Sequence, residues 1–338
     1  MAISYRTRQR LRRAGVAALT AGIVAVVVLF CLLLWLRRFV VYTDEGVKLE
    51  FHHAATPPAQ IPQTPEPVPS VPIIFDDSPY QEGLSQLSGY YLDPQDLMKN
   101  PATVQSFLEN LPAGTPVMLD LKGYRGYFYY PSGVGLTTSG SYDMEKMRAF
   151  LSWLTDSDLY VIARISTLRD FDYAYHDPAV GLPLANGALY SDRGTYGLGY
   201  WLNPANEKVQ NYLIQIIREL RNLGIDEVVL QNFCFPDTDS IVFNGDKAPA
   251  LQAAAEKIIA ACRTEQFALS FSSSDPSYVL PDENCRLYLE DIAPSDAQIA
   301  WDKVQMENKR IYLVFLAPGT DTRYEIENGI MQTLDLIS

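Results

Sequence analysis

Histidine, cysteine and positive charge are scarce in this sequence, and each shortage excludes a class of protein. Three histidines (His52, His53, His176) and four cysteines, with no C-x-x-C pair and no H-E-x-x-H run, leave no recognisable transition-metal site. Asp170, Asp172 and Asp177 lack the glycine and glutamate spacing of a calcium loop, and no G-K-[ST] follows the glycines of "GYRGYFYYPSGVG" to cradle a phosphate. Neither a metal nor a cofactor is expected. Cys31 lies in a long apolar run; Cys234, Cys262 and Cys285 are too few and too irregular for a disulfide framework, although one bridge, such as Cys262 with Cys285, is compatible with them. Seven of the 27 basic residues and none of the 40 acidic ones precede Phe39, so the remainder carries a formal charge of −20. Such a field repels a phosphate backbone, and no basic stripe offsets it, so nucleic acid is excluded as a partner.

The N-terminus is the exception to that acidity. After a basic tail (1–13), residues 14–36, "AGVAALTAGIVAVVVLFCLLLWL", run without a charge, and at about 1.5 Å per residue they span roughly 35 Å, enough to cross a bilayer. Arg6, Arg8, Arg10, Arg12 and Arg13 precede the run, which favours a cytoplasmic N-terminus and an extracellular remainder. A cleaved signal peptide is the competing reading, but the run exceeds the usual apolar region and no small-x-small cleavage site follows. The expectation is a single-pass cell-membrane protein held by a signal anchor. A juxtamembrane segment and linker follow (37–84), in which "PPAQIPQTPEPVPSVP" holds seven prolines in 16 residues. As an extended spacer at about 3.1 Å per residue it reaches about 50 Å.

From 85 to 338 short apolar runs alternate with helical patterns. Strand candidates lie at 88–92, 116–122, 159–166, 226–233, 267–273, 286–292 and 310–317, each nearly continuously apolar, as strands covered on both faces are. Residues 205–224 place Val209, Tyr212, Leu213, Ile216, Ile217 and Leu220 on one stripe and close on Gly224. Similar helical patterns occur near 101–111, 143–156, 247–264, 295–308 and 323–337. Repeated βα units over this length point to a (β/α)8 TIM-like barrel, complete or lacking one strand, with a doubly wound sheet as the structural runner-up.

In a barrel the C-terminal ends of the strands converge on one mouth. There the second strand brings Asp120 and Lys122, the third Arg164, the fourth Gln231 and Asn232, the fifth Ser272 to Asp275, and the sixth Glu290 and Asp291. Asp120 and Glu290 are the candidate catalytic carboxylates, placed to flank a substrate from opposite sides. Their plain structural alternative is ion pairing with Lys122 and Arg164. The aromatic loops, Tyr124, Tyr127, Phe128, Tyr129, Tyr130, Tyr200 and Trp201, suit the apolar faces of sugar rings, with Trp201 the favoured stacking surface; the plain alternative is packing over the barrel end.

The runs "VMLDLKGYRGYFYY", "LYVIARISTLRDFDYAYHDP" and "YWLNPANEKVQNYLIQIIRELRNLGIDEVVLQNFCFP" resemble a bacterial family of glycoside hydrolase-like TIM-barrel domains, over about Ser88 to Asp237. The family's motifs are V-I-D-x-K, Y-x-I-A-R followed by Asp, W-x-x-P, and G-F-D-E-I-x-F-D-Y-x-R-F-P. Asp120, Lys122, Arg164, Asp170, Trp201, Asn203, Pro204, Asp226, Glu227, Phe235 and Pro236 fall on motif positions. The resemblance implies retaining or inverting glycosidase chemistry by carboxylates at the mouth. Lys122, Arg164, Asp170, Trp201, Gln231 and Asn232 are the expected substrate-binding residues, with a polysaccharide as partner. Two positions depart: the family's F-D-Y aspartate is Gln231 here, and its arginine is Cys234. Glycoside cleavage generally takes one carboxylic acid and one carboxylate, and an amide replaces neither. The departures therefore set a hydrolase against a catalytically inactive glycan-binding or scaffold barrel.

Overall fold

The computed structural model describes residues 40–43, 46–49, 87–135, 137–140, 142–195 and 197–334. The chain divides into two compact units, Met1–Ile73 and Ile74–Ser338. In the first, Val40–Thr43 pairs antiparallel with Gly46–Leu49. The expected membrane segment (14–36) and the proline-rich spacer lie outside the described residues, among which no helix is long and apolar enough to cross a membrane.

The second unit contains a closed barrel of eight parallel strands: β1 Ser88–Leu92, β2 Pro116–Lys122, β3 Tyr160–Ser166, β4 Glu227–Gln231, β5 Ala268–Ser273, β6 Leu287–Leu289, β7 Leu313–Ala317 and β8 Gly329–Thr333. Each pairs with the next in sequence, and β8 returns to β1. The helices are α1 Pro94–Lys99, α2 Pro101–Leu108, α3 Met144–Thr155, α4 Phe171–His176, α5 Glu207–Asn222, α6 Lys247–Cys262, α7 Ala297–Lys303 and α8 Lys309–Tyr312. On α5 the stripe read from the sequence is buried from Val209 to Leu220; Asn206 caps the start, accepting from the Lys208 backbone N–H, and Gly224 beyond its end takes a φ of 90°.

The eighth strand corrects the expectation of a helix over 323–337. A short apolar stretch does not separate the two periods. Closure decides it: a Cβ on Gly329 would stand 2.6 Å from the Leu87 carbonyl oxygen, so only glycine lets β8 lie against the chain entering β1, where Ile330 N–H donates to that carbonyl at 2.7 Å. With the ladder closed, the doubly wound alternative falls. Further bounds narrow, as 226–233 does to Glu227–Gln231. Strand 310–317 begins at Leu313 because its first residues form α8, and 286–292 shrinks to Leu287–Leu289, after which Asp291 turns the chain with a φ of 57°. Cys234, Cys262 and Cys285 are free thiols, so the Cys262–Cys285 bridge is absent.

Alternation along the strands sorts side chains into two cores. Met118, Ile162, Val229, Tyr288, Val314 and Met331 fill the barrel interior with Leu87, while the larger cluster, from Val117 and Leu119 to Ile216 and Leu230, packs strands against helices. Two positions beyond Met118, Ile162, Val229 and Tyr288 stand Asp120, Arg164, Gln231 and Glu290, on the floor of the mouth.

Candidate active site at the barrel mouth

Asp120 on β2 and Arg164 on β3 are register partners, and so are Gln231 on β4 and Ser272 on β5. The pairing converts strand order into a ring of neighbouring side chains. Arg164 is its hub: Nε and Nη2 donate to Asp120 at 2.6 and 3.0 Å, and Nη1 donates to Glu290 Oε2 at 2.6 Å. The two carboxylates thus take different edges of one guanidinium. Gln231 Nε2 donates to both Glu290 oxygens, at 3.0 and 2.9 Å, and the Tyr91 hydroxyl donates to Asp120 Oδ2 at 2.9 Å. Side-chain exposures of 23% for Asp120 and 12% for both Arg164 and Glu290 keep the cluster in contact with the opening.

Burial raises the Glu290 carboxyl above the usual glutamate range; Asp291 and Asp120 add to the rise, and together these outweigh Arg164 and the Gln231 bond, which oppose it. Glu290 therefore keeps its proton to higher pH than an exposed glutamate and is fitted to donate it. Burial, and next the neighbouring Asp120, hold the Tyr91 hydroxyl protonated. At Arg164 burial alone would weaken the charge, but Asp120, Tyr91 and Glu290 outweigh it and keep the cation.

Lys122 and Asp170 are brought together, but not in the mouth. The register of β2 against β3 shifts between Asp120 and Lys122, which sets Lys122 opposite Ile165. This irregularity turns the lysine out of the barrel axis into the layer under α5. There its ammonium meets Asp170 at 2.7 Å, donates to the Ser166 carbonyl at 2.7 Å, and lies near the Phe128 and Tyr212 rings. Both side chains are 0% exposed, so the pair offers no surface to a ligand, which corrects its expected substrate-binding role. Asp170 instead caps α4 and accepts from Tyr212, while Gly126, at a φ of 81°, leaves the room that the loop needs against it.

Trp201 is also corrected as a stacking surface. It is buried at 6% exposure in the main core and forms a bridge with Arg169. Phe128 and Tyr130 are buried too; the exposed ring is Tyr175, stacked on Phe171, which stacks on Tyr200. Asn232, at a φ of 56°, donates its amide to Ser166 Oγ at 3.0 Å, tying the end of β4 to β3.

Tyr91 belongs to the cluster and was not identified from the sequence, although its place in "SGYYL", facing inward by alternation, carried the signal. Beside the mouth Arg169 pairs with Asp192 at 2.6 Å. Burial, and then Asp275, Asp192 and Glu290, push the Cys234 thiol up to about 11, so it faces the carboxylates as a neutral group. No group of three or more His, Cys, Asp or Glu that could hold a metal ion occurs among the described residues.

A closed eight-stranded parallel barrel with paired carboxylates on the C-terminal ends of its strands is the architecture of many glycoside hydrolases. The family profile described as "Putative glycosyl hydrolase domain" matches residues 98–269, half of the chain, and the chain belongs to that family. The match extends beyond Asp237 through α6 into β5. No curated protein matches significantly. Among solved structures, the α-N-acetylgalactosaminidase NagBb from Bifidobacterium bifidum with GalNAc aligns at a TM-score of 0.51 and 11% identity, over 76% of this chain and 48% of that one. A variant GH36 α-galactosidase AgaA from Geobacillus stearothermophilus with stachyose aligns at 0.52 and 11% identity, over 77% of this chain and 42% of that one. The chain thus spans less than half of either enzyme, and the likeness is one of fold. A hypothetical protein from Ruminiclostridium thermocellum aligns at 0.46 and 22% identity, over 54% of this chain and 96% of that one.

Proposed function

We propose that this protein is a membrane-anchored, extracytoplasmic glycoside hydrolase-like barrel acting on a cell-wall or surface polysaccharide, with Glu290 as the proton donor. The observation that carries the reading is Glu290 itself: a carboxyl raised by burial, in a mouth that still reaches solvent, one guanidinium away from Asp120. Glu290 would protonate the departing glycosidic oxygen, and Asp120 would face the positive charge that grows at the anomeric carbon. The anchor is the apolar run 14–36, and the arginines before it favour a cytoplasmic N-terminus.

A second reading, a glycan-binding or scaffold barrel without turnover, is favoured by a specific observation. Both carboxylates are engaged by Arg164, and the family's aspartate is Gln231, whose amide also holds Glu290. Sugar release by the full-length chain from cell-wall and capsular polysaccharides separates the two. Release lost in Glu290→Gln and Asp120→Asn supports the hydrolase; no release from wild type, with release appearing in Gln231→Asp, supports the binder.

A further inference from the structure

We infer that Ser272 and Gln231 form a neutral hydrogen-bonding subsite on the floor of the mouth that takes a hydroxyl of an uncharged sugar. Ser272 lies on β5 between Gln231 on β4 and Tyr288 on β6, its register partners on either side. Tyr288 belongs to the interior cluster, and alternation sends Phe271 to the outer core, so the Ser272 side chain faces the barrel axis beneath the opening. It is 3% exposed, and its Oγ has no hydrogen-bond partner among the described residues. A buried hydroxyl left in that state is costly, and natural folds keep such groups chiefly where something else satisfies them. Gln231 next to it uses its amide nitrogen on Glu290, and no bond to its Oε1 is present among the described residues. One donor-acceptor hydroxyl beside one amide oxygen is complementary to a sugar hydroxyl, which both donates and accepts.

The charges around this floor decide the class of sugar. Asp120 borders this floor beside Glu290; Asp192 and Asp275 act on the neighbouring Cys234; and the arginines present, Arg164 and Arg169, already hold carboxylates. A uronate or phosphate would be repelled, whereas a neutral ring would not.

This inference rests on the reading of the mouth as a glycan site, and the test keeps the two apart. Hexasaccharides of β-1,4-linked glucose, mannose and N-acetylglucosamine, and the anionic hexamer of galacturonate, are titrated calorimetrically into the full-length chain and its Ser272→Ala variant. A neutral hexamer should bind wild type at least tenfold more tightly than hexagalacturonate, and Ser272→Ala should weaken it about tenfold. The variant should melt no lower than wild type, because it loses a hydroxyl that has no partner among the described residues. Equal affinity of wild type and variant, or a lower melting temperature, overturns the subsite while the glycan site stands. Tighter binding of hexagalacturonate overturns the neutral class. Binding of none of the four overturns the glycan site and the subsite with it.

Discussion

The barrel contains two arginine–carboxylate clusters at opposite ends of the same strands, and they have opposite fates. At the N-terminal end Glu227, the first residue of β4, accepts from Arg286, from the Tyr160 hydroxyl at 3.0 Å and from the Tyr288 hydroxyl at 3.0 Å, and both charged side chains are 0% exposed. At the C-terminal end the same strand finishes in Gln231, beside a cluster whose carboxylates keep 12% and 23% of their surface. A sealed pair cannot meet a ligand and pins the barrel; an open one can exchange protein partners for substrate. A polar residue at a strand end therefore says little about role until its depth is known. The family's D-E pair, Asp226 and Glu227, falls on the sealed end, where Asp226 also accepts the Val161 backbone N–H at 2.8 Å.

Breaking the sealed cluster should give the largest effect. Glu227→Ala strands the Arg286 charge in the interior and should cost about 3 to 5 kcal/mol of stability, read from urea denaturation. Replacing both partners by methionine should recover most of that loss; a double variant as unstable as Glu227→Ala would show that the pair does more than neutralise itself.

At the mouth the effect should move from stability to chemistry. Glu290→Gln is expected to lower sugar release about a hundredfold or more while shifting the unfolding free energy by less than about 1 kcal/mol, since Arg164 keeps Asp120 as a partner. A large fall in stability with unchanged release would invert the comparison between the two ends.

The raised Glu290 carboxyl sharpens the comparison through pH. A group raised on folding stabilises fully below its unfolded value and loses that contribution as pH rises through its folded value, because the folded chain holds the proton longer. From the ordinary glutamate value of 4.5 upward, wild type should lose stability relative to Glu290→Gln until the raised value is passed. Denaturation midpoints that run parallel for the two proteins across this range would refute the shift. The smallest effect belongs to a pair outside both clusters: Arg310 and Glu327, at 72% and 67% exposure, where Arg310→Gln should change stability by no more than about 1 kcal/mol.

Much of the architecture was legible in the chain. Strands 88–92 and 116–122 and the stripe on α5 followed from apolar runs and the 3.6-residue period, because those signals are local and the elements are covered on the faces the patterns indicate. Asp120, Arg164, Gln231 and Glu290 were legible as strand-end polar residues. The strand β8 was not, since Gly329 makes sense only beside Leu87, a residue some 240 positions earlier in the chain. Lys122 and Asp170 could not be separated from Asp120 by spacing, because the register shift that turns the lysine outward arises between two strands. Trp201 likewise reads as an exposed loop aromatic until packing covers it.

By itself, then, the sequence determined seven of the eight strands, the stripe of α5, and which strand ends carry charge. Periodicity and composition act within a few residues of chain. Only tertiary structure decided that the barrel closes, that Arg164 holds two carboxylates, that Lys122 is sealed, and that Ser272 faces the axis without a hydrogen-bond partner among the described residues. Each of those depends on strand register and depth, which are set by contacts between residues far apart in the chain.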